Sequence, residues 1–114
     1  MKNRKKIICF DIDGVICSTK GNKYRLSKPK KNNIKVINNL YQKYRIIIFT
    51  SRFMGRNKEN IKKAKLQGYE FTLKQLKNWR VNFHKLIFGK PSYDLFIDDK
   101  SLGFSKNWKN DIRL

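Results

Sequence analysis

The sequence of 114 residues predicts an α/β fold, a Rossmann-like parallel sheet in a three-layer arrangement with only a minimal cap. Short apolar runs alternate with segments of helical periodicity, the pattern of strands joined by crossover helices. One run, Arg45–Thr50, holds three consecutive isoleucines and Phe49, as strands do when covered on both faces. Two separate runs end abruptly in acidic residues, at the carboxyl ends where open α/β sheets bind their ligands.

The first strand, expected to be buried and central in the sheet, is read in Lys6–Phe10, an apolar stretch that stops at Asp11-Ile12-Asp13-Gly14. A polar, basic flap follows over about residues 16–31, punctuated by Gly21 and Pro29, with Tyr24 and Leu26 as its larger apolar groups. Ile34, Ile37, Leu40, Tyr41 and Tyr44 recur at helical spacing, with Asn32 or Asn33 placed to cap the start. Arg45–Thr50 is the second strand. Asn57–Leu66 predicts a weak helix closed by Gly68, and Thr72 with Gln75 forms a capping box that opens another carrying Leu73, Leu76 and Trp79. Leu86–Phe88 and Leu95–Ile97 are two further apolar runs, the second leading into Asp98-Asp99. Their spacing conflicts with a parallel pairing, because a crossover needs about a dozen residues and only Gly89–Asp94 lies between them.

No linker, repeat or low-complexity tract divides the chain, so residues 1–114 read as one domain. With 39% hydrophobic residues the composition favours a folded core over disorder. The charge is +20, from 28 basic and 8 acidic residues. Such a field attracts phosphates, nucleic acid or anionic surfaces, and is equally what a Lys-rich and Asn-rich composition bias leaves behind. No apolar run approaches the roughly 20 residues that span a bilayer, and the basic start Met1–Lys6 leads into too short a run for an export signal. A cytoplasmic protein without membrane insertion is expected. Cys9 and Cys17 are too few for a disulfide framework and lack zinc-site spacing, which leaves reduced structural thiols.

Asp11, Asp13, Asp98 and Asp99 are half of the acids in the chain. Gathered at one sheet edge they would repel one another unless a cation neutralised them. Oxygen ligands without clustered His or Cys favour Mg2+ over zinc, and magnesium that is shared between carboxylates and substrate points to phosphoryl transfer. A calcium loop is excluded, since Val15 and Cys17 occupy positions that require oxygen ligands and no Glu closes the loop. Arg52 and Arg56 follow the second strand, where either binds a substrate anion or is simply solvated. His84, the only histidine, is assigned no function.

These residues resemble the haloacid dehalogenase superfamily of phosphatases. Its first motif, an apolar strand followed by Asp-x-Asp-Gly-Thr or Val, matches Asp11-Ile12-Asp13-Gly14-Val15. Its second is a Thr or Ser ending the next strand, here Thr50, and its third and fourth are a Lys upstream of paired acids, here Lys90 before Asp98-Asp99. The resemblance implies a haloacid dehalogenase-type core and a hydrolase whose nucleophile, Asp11, forms an aspartyl phosphate. Asp13 then protonates the leaving oxygen and activates water, a covalent route that splits one hard step into two. Thr50, with Ser51 and Arg52 beside it, and Lys90 would grip phosphate oxygens. The metal would sit on Asp11, the Asp13 main-chain oxygen and Asp98 or Asp99.

Over nearly its whole length the chain resembles small capless bacterial phosphatases of capsule or lipopolysaccharide biosynthesis. The stretches that carry this are Phe49-Thr50-Ser51-Arg52, Phe53-Met54-Gly55-Arg56-Asn57, Phe88-Gly89-Lys90-Pro91 and Phe96-Ile97-Asp98-Asp99-Lys100. The implied substrate is a sugar phosphate or small phosphorylated alcohol, with Lys20, Lys23, Arg25 and Arg56 adding positive potential at the mouth. Without a cap the site needs shelter from a homo-oligomeric partner or a bulky substrate. The alternatives are a polynucleotide or nucleotide phosphatase, which the charge suits, and an inactive anion-binding or nucleic-acid-binding module on the same fold.

Overall fold

The computed structural model describes residues 4–114; the start of the basic segment Met1–Lys6 lies outside the described residues. The sequence builds a parallel three-stranded sheet and two α-helices. The strands are β1 (Ile7–Phe10), β4 (Arg45–Thr50) and β5 (Lys85–Phe88), in the order β1-β4-β5, so β4 is central and β1, expected to be central and buried, is an edge strand with only Phe10 buried, because no described strand pairs its other side. Helix α1 (Lys31–Tyr41) crosses from β1 to β4 and α2 (Ile61–Asn78) from β4 to β5. Between β1 and α1 the flap carries a small antiparallel ladder, β2 (Cys17–Ser18) with β3 (Lys28–Pro29), and a 3-10 turn over Tyr24–Leu26.

Register sets which side chains share a face. Phe10 pairs with Ile48, and Thr50 with Phe88. In β4 and β5 the buried residues alternate: Ile46, Ile48, Thr50, Leu86 and Phe88 are buried, whereas Ile47, Phe49 and Ile87 are only half-buried. The expected third layer is not built of helices, for α1 and α2 are the only α-helices among the described residues. Right-handed crossovers that progress in one direction lay both helices on the same face. In keeping with that, Asn38 of α1 donates to the Arg80 carbonyl just beyond α2 and accepts from the Asn82 N–H. The core also takes in Trp108, edge-on to Phe10 at a centroid distance of 5.9 Å. Among the described residues no helix is long and apolar enough to cross a membrane.

Three sequence expectations are corrected. The two helices expected after the second strand are one, α2, and Gly68 lies in its middle. Gly68 is needed for close approach, not for a cap: a Cβ there would overlap the ring of Phe53. The N-cap of α2 is Asn60, whose side chain accepts from the Lys63 N–H at 3.0 Å, while Thr72 is buried within the helix. Asn33 does not cap α1 either; its side-chain amide donates to the Val15 carbonyl and ties the helix to the turn after β1. Lastly, Leu95–Ile97 forms no strand, and Leu95 and Ile97 are 76% and 86% exposed. Gly89–Asp94 is too short to carry a parallel crossover, and the chain leaves β5 without regular secondary structure.

Both cysteines are free, Cys9 exposed and Cys17 buried. His84 stacks on Tyr41 and accepts from the Ile46 N–H at 2.9 Å, a structural role between α1 and β4.

Candidate active site

Three residues expected to handle phosphate converge at the carboxyl ends of the three strands. Asp11 follows β1, Thr50 ends β4, and Lys90 lies two residues beyond β5. The Lys90 N–H donates to the Thr50 carbonyl at 3.2 Å, which pins the β5 exit against β4. Gly89, at φ +107, makes the turn that allows this. The Lys90 ammonium then lies 3.8 Å from the Asp11 carboxylate, on a side chain almost wholly buried, with the rings of Tyr93 and Phe96 beside it. At this distance the pair is loose. Burial pushes the Asp11 carboxyl above its ordinary pKa, and the charge of Lys90 with the Ile12 N–H only partly offsets it.

The residues after Asp11 wind tightly around one carbonyl. The N–H groups of Val15, Ile16 and Cys17 all reach the Ile12 oxygen, and Gly14 at φ +95 supplies the turn. Ile12 and Ile16 are fully buried beneath, which fixes Asp13 on top.

Asp13 is held from several directions. The Arg52 Nε donates to Oδ2 at 2.9 Å and Nη2 to Oδ1 at 2.9 Å, a planar two-point clamp. Thr19 from the flap donates to Oδ1 at 2.6 Å, with the Cys17 thiol 3.5 Å away. Arg52 is only 1% exposed. Its Nη1 donates to Gln75 Oε1 of α2 at 2.6 Å, and its guanidinium lies under the Tyr24 ring. Gln75 in turn donates to the Tyr24 carbonyl at 2.8 Å, so the flap rests on the clamp. Arg52, expected as a ligand for a substrate anion, is thereby corrected to an internal group. Thr19, Gln75 and Tyr24 are site residues that sequence reasoning missed; Gln75 carried a signal, a polar residue on the apolar stripe of Leu73, Leu76 and Trp79.

Thr50 is buried at the floor and accepts from the Arg52 N–H at 3.1 Å, which leaves its O–H to donate outward. Ser51 is half-buried and its carbonyl accepts from the Met54 N–H, opening a turn. Beyond the clamp a cavity of about 380 Å³ is lined by Tyr24, Arg25, Phe53, Arg56 and Phe71. Arg25 stacks on Phe71 and Arg56 on Phe53, and with Lys23 in the lining three of the four expected mouth cations are there, Lys20 being the exception.

Asp98 and Asp99 are not brought in. Both are exposed, and the Asp98 carboxylate accepts from the Lys100 N–H, which holds its pKa below the ordinary value. Among the described residues no three acids, histidines or cysteines lie close enough to hold a metal ion. Asp13 has both carboxylate oxygens engaged by Arg52, so the strand end offers a cation the Asp11 carboxylate and the Asp13 main-chain oxygen, with neither Asp98 nor Asp99 beside them. This arrangement therefore does not fit a complete magnesium site.

No protein-family model matches the sequence, and no curated protein does. The fold matches the crystal structure of an MCSG target from Vibrio cholerae, with a TM-score of 0.83 over 96% of this chain and 90% of that one. Sequence identity is 22%, a likeness of fold alone.

Proposed function

We propose that the chain is a phosphomonoester hydrolase of the haloacid dehalogenase type, built on a reduced version of that core. The observation that supports this reading is the meeting of Asp11, Thr50 and the buried Lys90 at three adjacent strand ends, with Asp13 two residues from Asp11. Asp11 attacks phosphorus and the P–O bond to the leaving alcohol breaks. Asp13 gives that oxygen its proton, then takes one from the water that hydrolyses the aspartyl phosphate. The Lys90 ammonium and the Thr50 O–H face charge that builds on the phosphoryl oxygens.

The substrate class in this reading is a sugar phosphate or small phosphorylated alcohol of surface polysaccharide synthesis, handled in the cytoplasm. The site is sheltered by a second copy or by the substrate itself. The +20 charge favours one competing substrate, a phosphorylated polynucleotide, whose turnover would fall steeply with salt. Magnesium belongs to the proposal through the resemblance, and it requires Asp98 or Asp99 to come beside Asp11.

The test is hydrolysis of p-nitrophenyl phosphate with and without magnesium. Asp11→Asn abolishes turnover with the fold retained by circular dichroism. Asp98→Asn or Asp99→Asn lowers the magnesium-dependent rate more than tenfold. Full activity in Asp11→Asn overturns the nucleophile; rates within twofold of wild type in both Asp98 and Asp99 variants remove magnesium from the scheme.

A further inference from the structure

Arg52 is a fully buried cation in a chain with a large excess of positive charge, and its place is not explained by substrate binding. Burying a guanidinium is costly unless it is paired and hydrogen-bonded. Here it is both, and its donors are directed: two to the oxygens of Asp13 and one to Gln75. A bidentate fork fixes the plane of a carboxylate as well as its position. With the Thr19 hydroxyl on the same Oδ1, that oxygen is fully occupied, while Oδ2 accepts only from Nε. Asp13 thus presents one defined edge.

The clamp is itself held. Gln75 is fixed by its two amide ends, accepting from Arg52 and donating to the Tyr24 carbonyl. The Tyr24 ring covers the guanidinium at 4.8 Å, and the Phe53 N–H reaches the Tyr24 hydroxyl. Helix α2, the flap and the β4 exit all meet at one side chain.

Resting on the phosphohydrolase reading, we propose that Arg52 is a positioning residue that aims Asp13 for proton transfer, and that Gln75 holds Arg52 in place to do so. Neither side chain touches substrate. Aiming a proton-transfer group matters because general acid–base catalysis is worth about 10²- to 10⁴-fold and depends on geometry within hydrogen-bond reach.

The experiment is a double-mutant cycle in the full chain. Arg52→Met keeps the volume and removes the charge, leaving half-exposed Asp13 free to find water. Relative to wild type it lowers kcat on p-nitrophenyl phosphate by about 10- to 100-fold, part of the acid–base contribution, with KM within about twofold. In an Asp13→Asn background the same substitution costs less than about twofold, because there is no proton-transfer group left to aim. Gln75→Leu, which removes the acceptor that holds Arg52 and leaves both Arg52–Asp13 bonds available, shows the same dependence on Asp13 at smaller size, and it decides the question where Arg52→Met does not fold. A raised KM in Arg52→Met, or an equal loss in both backgrounds, overturns the positioning role. Wild-type protein inert toward phosphomonoesters, or Asp11→Asn that remains active, overturns the phosphohydrolase reading instead.

Discussion

The two acidic pairs of this chain meet opposite environments. Asp11 and Asp13 follow a strand that β4 pairs along its whole length, and they are met by Lys90, by Arg52 and by Thr19 of the flap. Asp98 and Asp99 follow an exposed apolar run, and the Asp98 carboxylate accepts from a backbone N–H two residues on, that of Lys100. The difference lies in what surrounds each pair, since both follow short apolar runs. Phe10 continues a ladder that β4 already pairs, whereas Leu95–Ile97 has no crossover long enough to reach a parallel neighbour. In this structure the acidic pair that follows a paired strand has partners gathered around it, and the pair that follows an unpaired run does not.

The largest effect expected from this contrast is on stability. Leu76 on α2 is fully buried against the sheet side of the core, so Leu76→Ala costs about 2–5 kcal/mol through lost burial and the cavity left behind. Leu95→Ser and Ile97→Ser, at exposed positions, stay within about 0.5 kcal/mol of wild type. Urea unfolding measures both. A cost above 1.5 kcal/mol at Leu95, on the scale of a buried side chain, would show that the run packs in solution and would break the contrast.

A smaller pair of substitutions sharpens where the helical half begins. Asn60→Ala removes the side-chain acceptor that caps Lys63 N–H and lowers stability by about 1 kcal/mol. Thr72 is fully buried and its hydroxyl has no partner, so Thr72→Val raises stability by about 0.5–1.5 kcal/mol. The sign is decisive, because a Thr that opened a helix would lose stability on the same change.

The alternation of apolar runs and helical spacing was enough to place β1, α1, β4 and β5, since each is a local pattern read over four to eleven residues. The same reading divided α2 at Gly68, where a contact with Phe53 from fifteen residues upstream decides the residue. No local pattern carries that. Asp11, Thr50 and Lys90 were legible as motif residues, and the fold brings them to adjacent strand ends. The role of Arg52 was not, because adjacency to Thr50 suggested a substrate-anion ligand or a solvated cation, while its burial depends on Asp13, Gln75 and Tyr24 far along the chain. Half-burial of Ile47 and Phe49 likewise contradicts the reading of three consecutive isoleucines and Phe49 as covered on both faces.

The smallest effects test the acids directly, through pH. Burial raises the Asp11 pKa, so the folded chain binds that proton more tightly than the unfolded chain does. The sign follows: stability is highest below the ordinary carboxyl pKa of about 3.9 and falls as pH rises from there through the raised folded value, remaining lower above it. Asp11→Asn removes the penalty, so its Tm exceeds that of wild type by a few degrees at pH 7, with the gap closing toward pH 4 and below. Asp98 is shifted the other way by the Lys100 N–H, so its contribution is present above the ordinary carboxyl pKa and is lost as pH falls through its lowered folded value. Being fully exposed, Asp98→Asn lowers Tm only slightly at pH 7. Scanning fluorimetry of both variants from pH 3 to 8 reads the two slopes; a lower Tm in Asp11→Asn at neutral pH would mean that Lys90 outweighs desolvation and that the carboxylate at β1 is structurally stabilising.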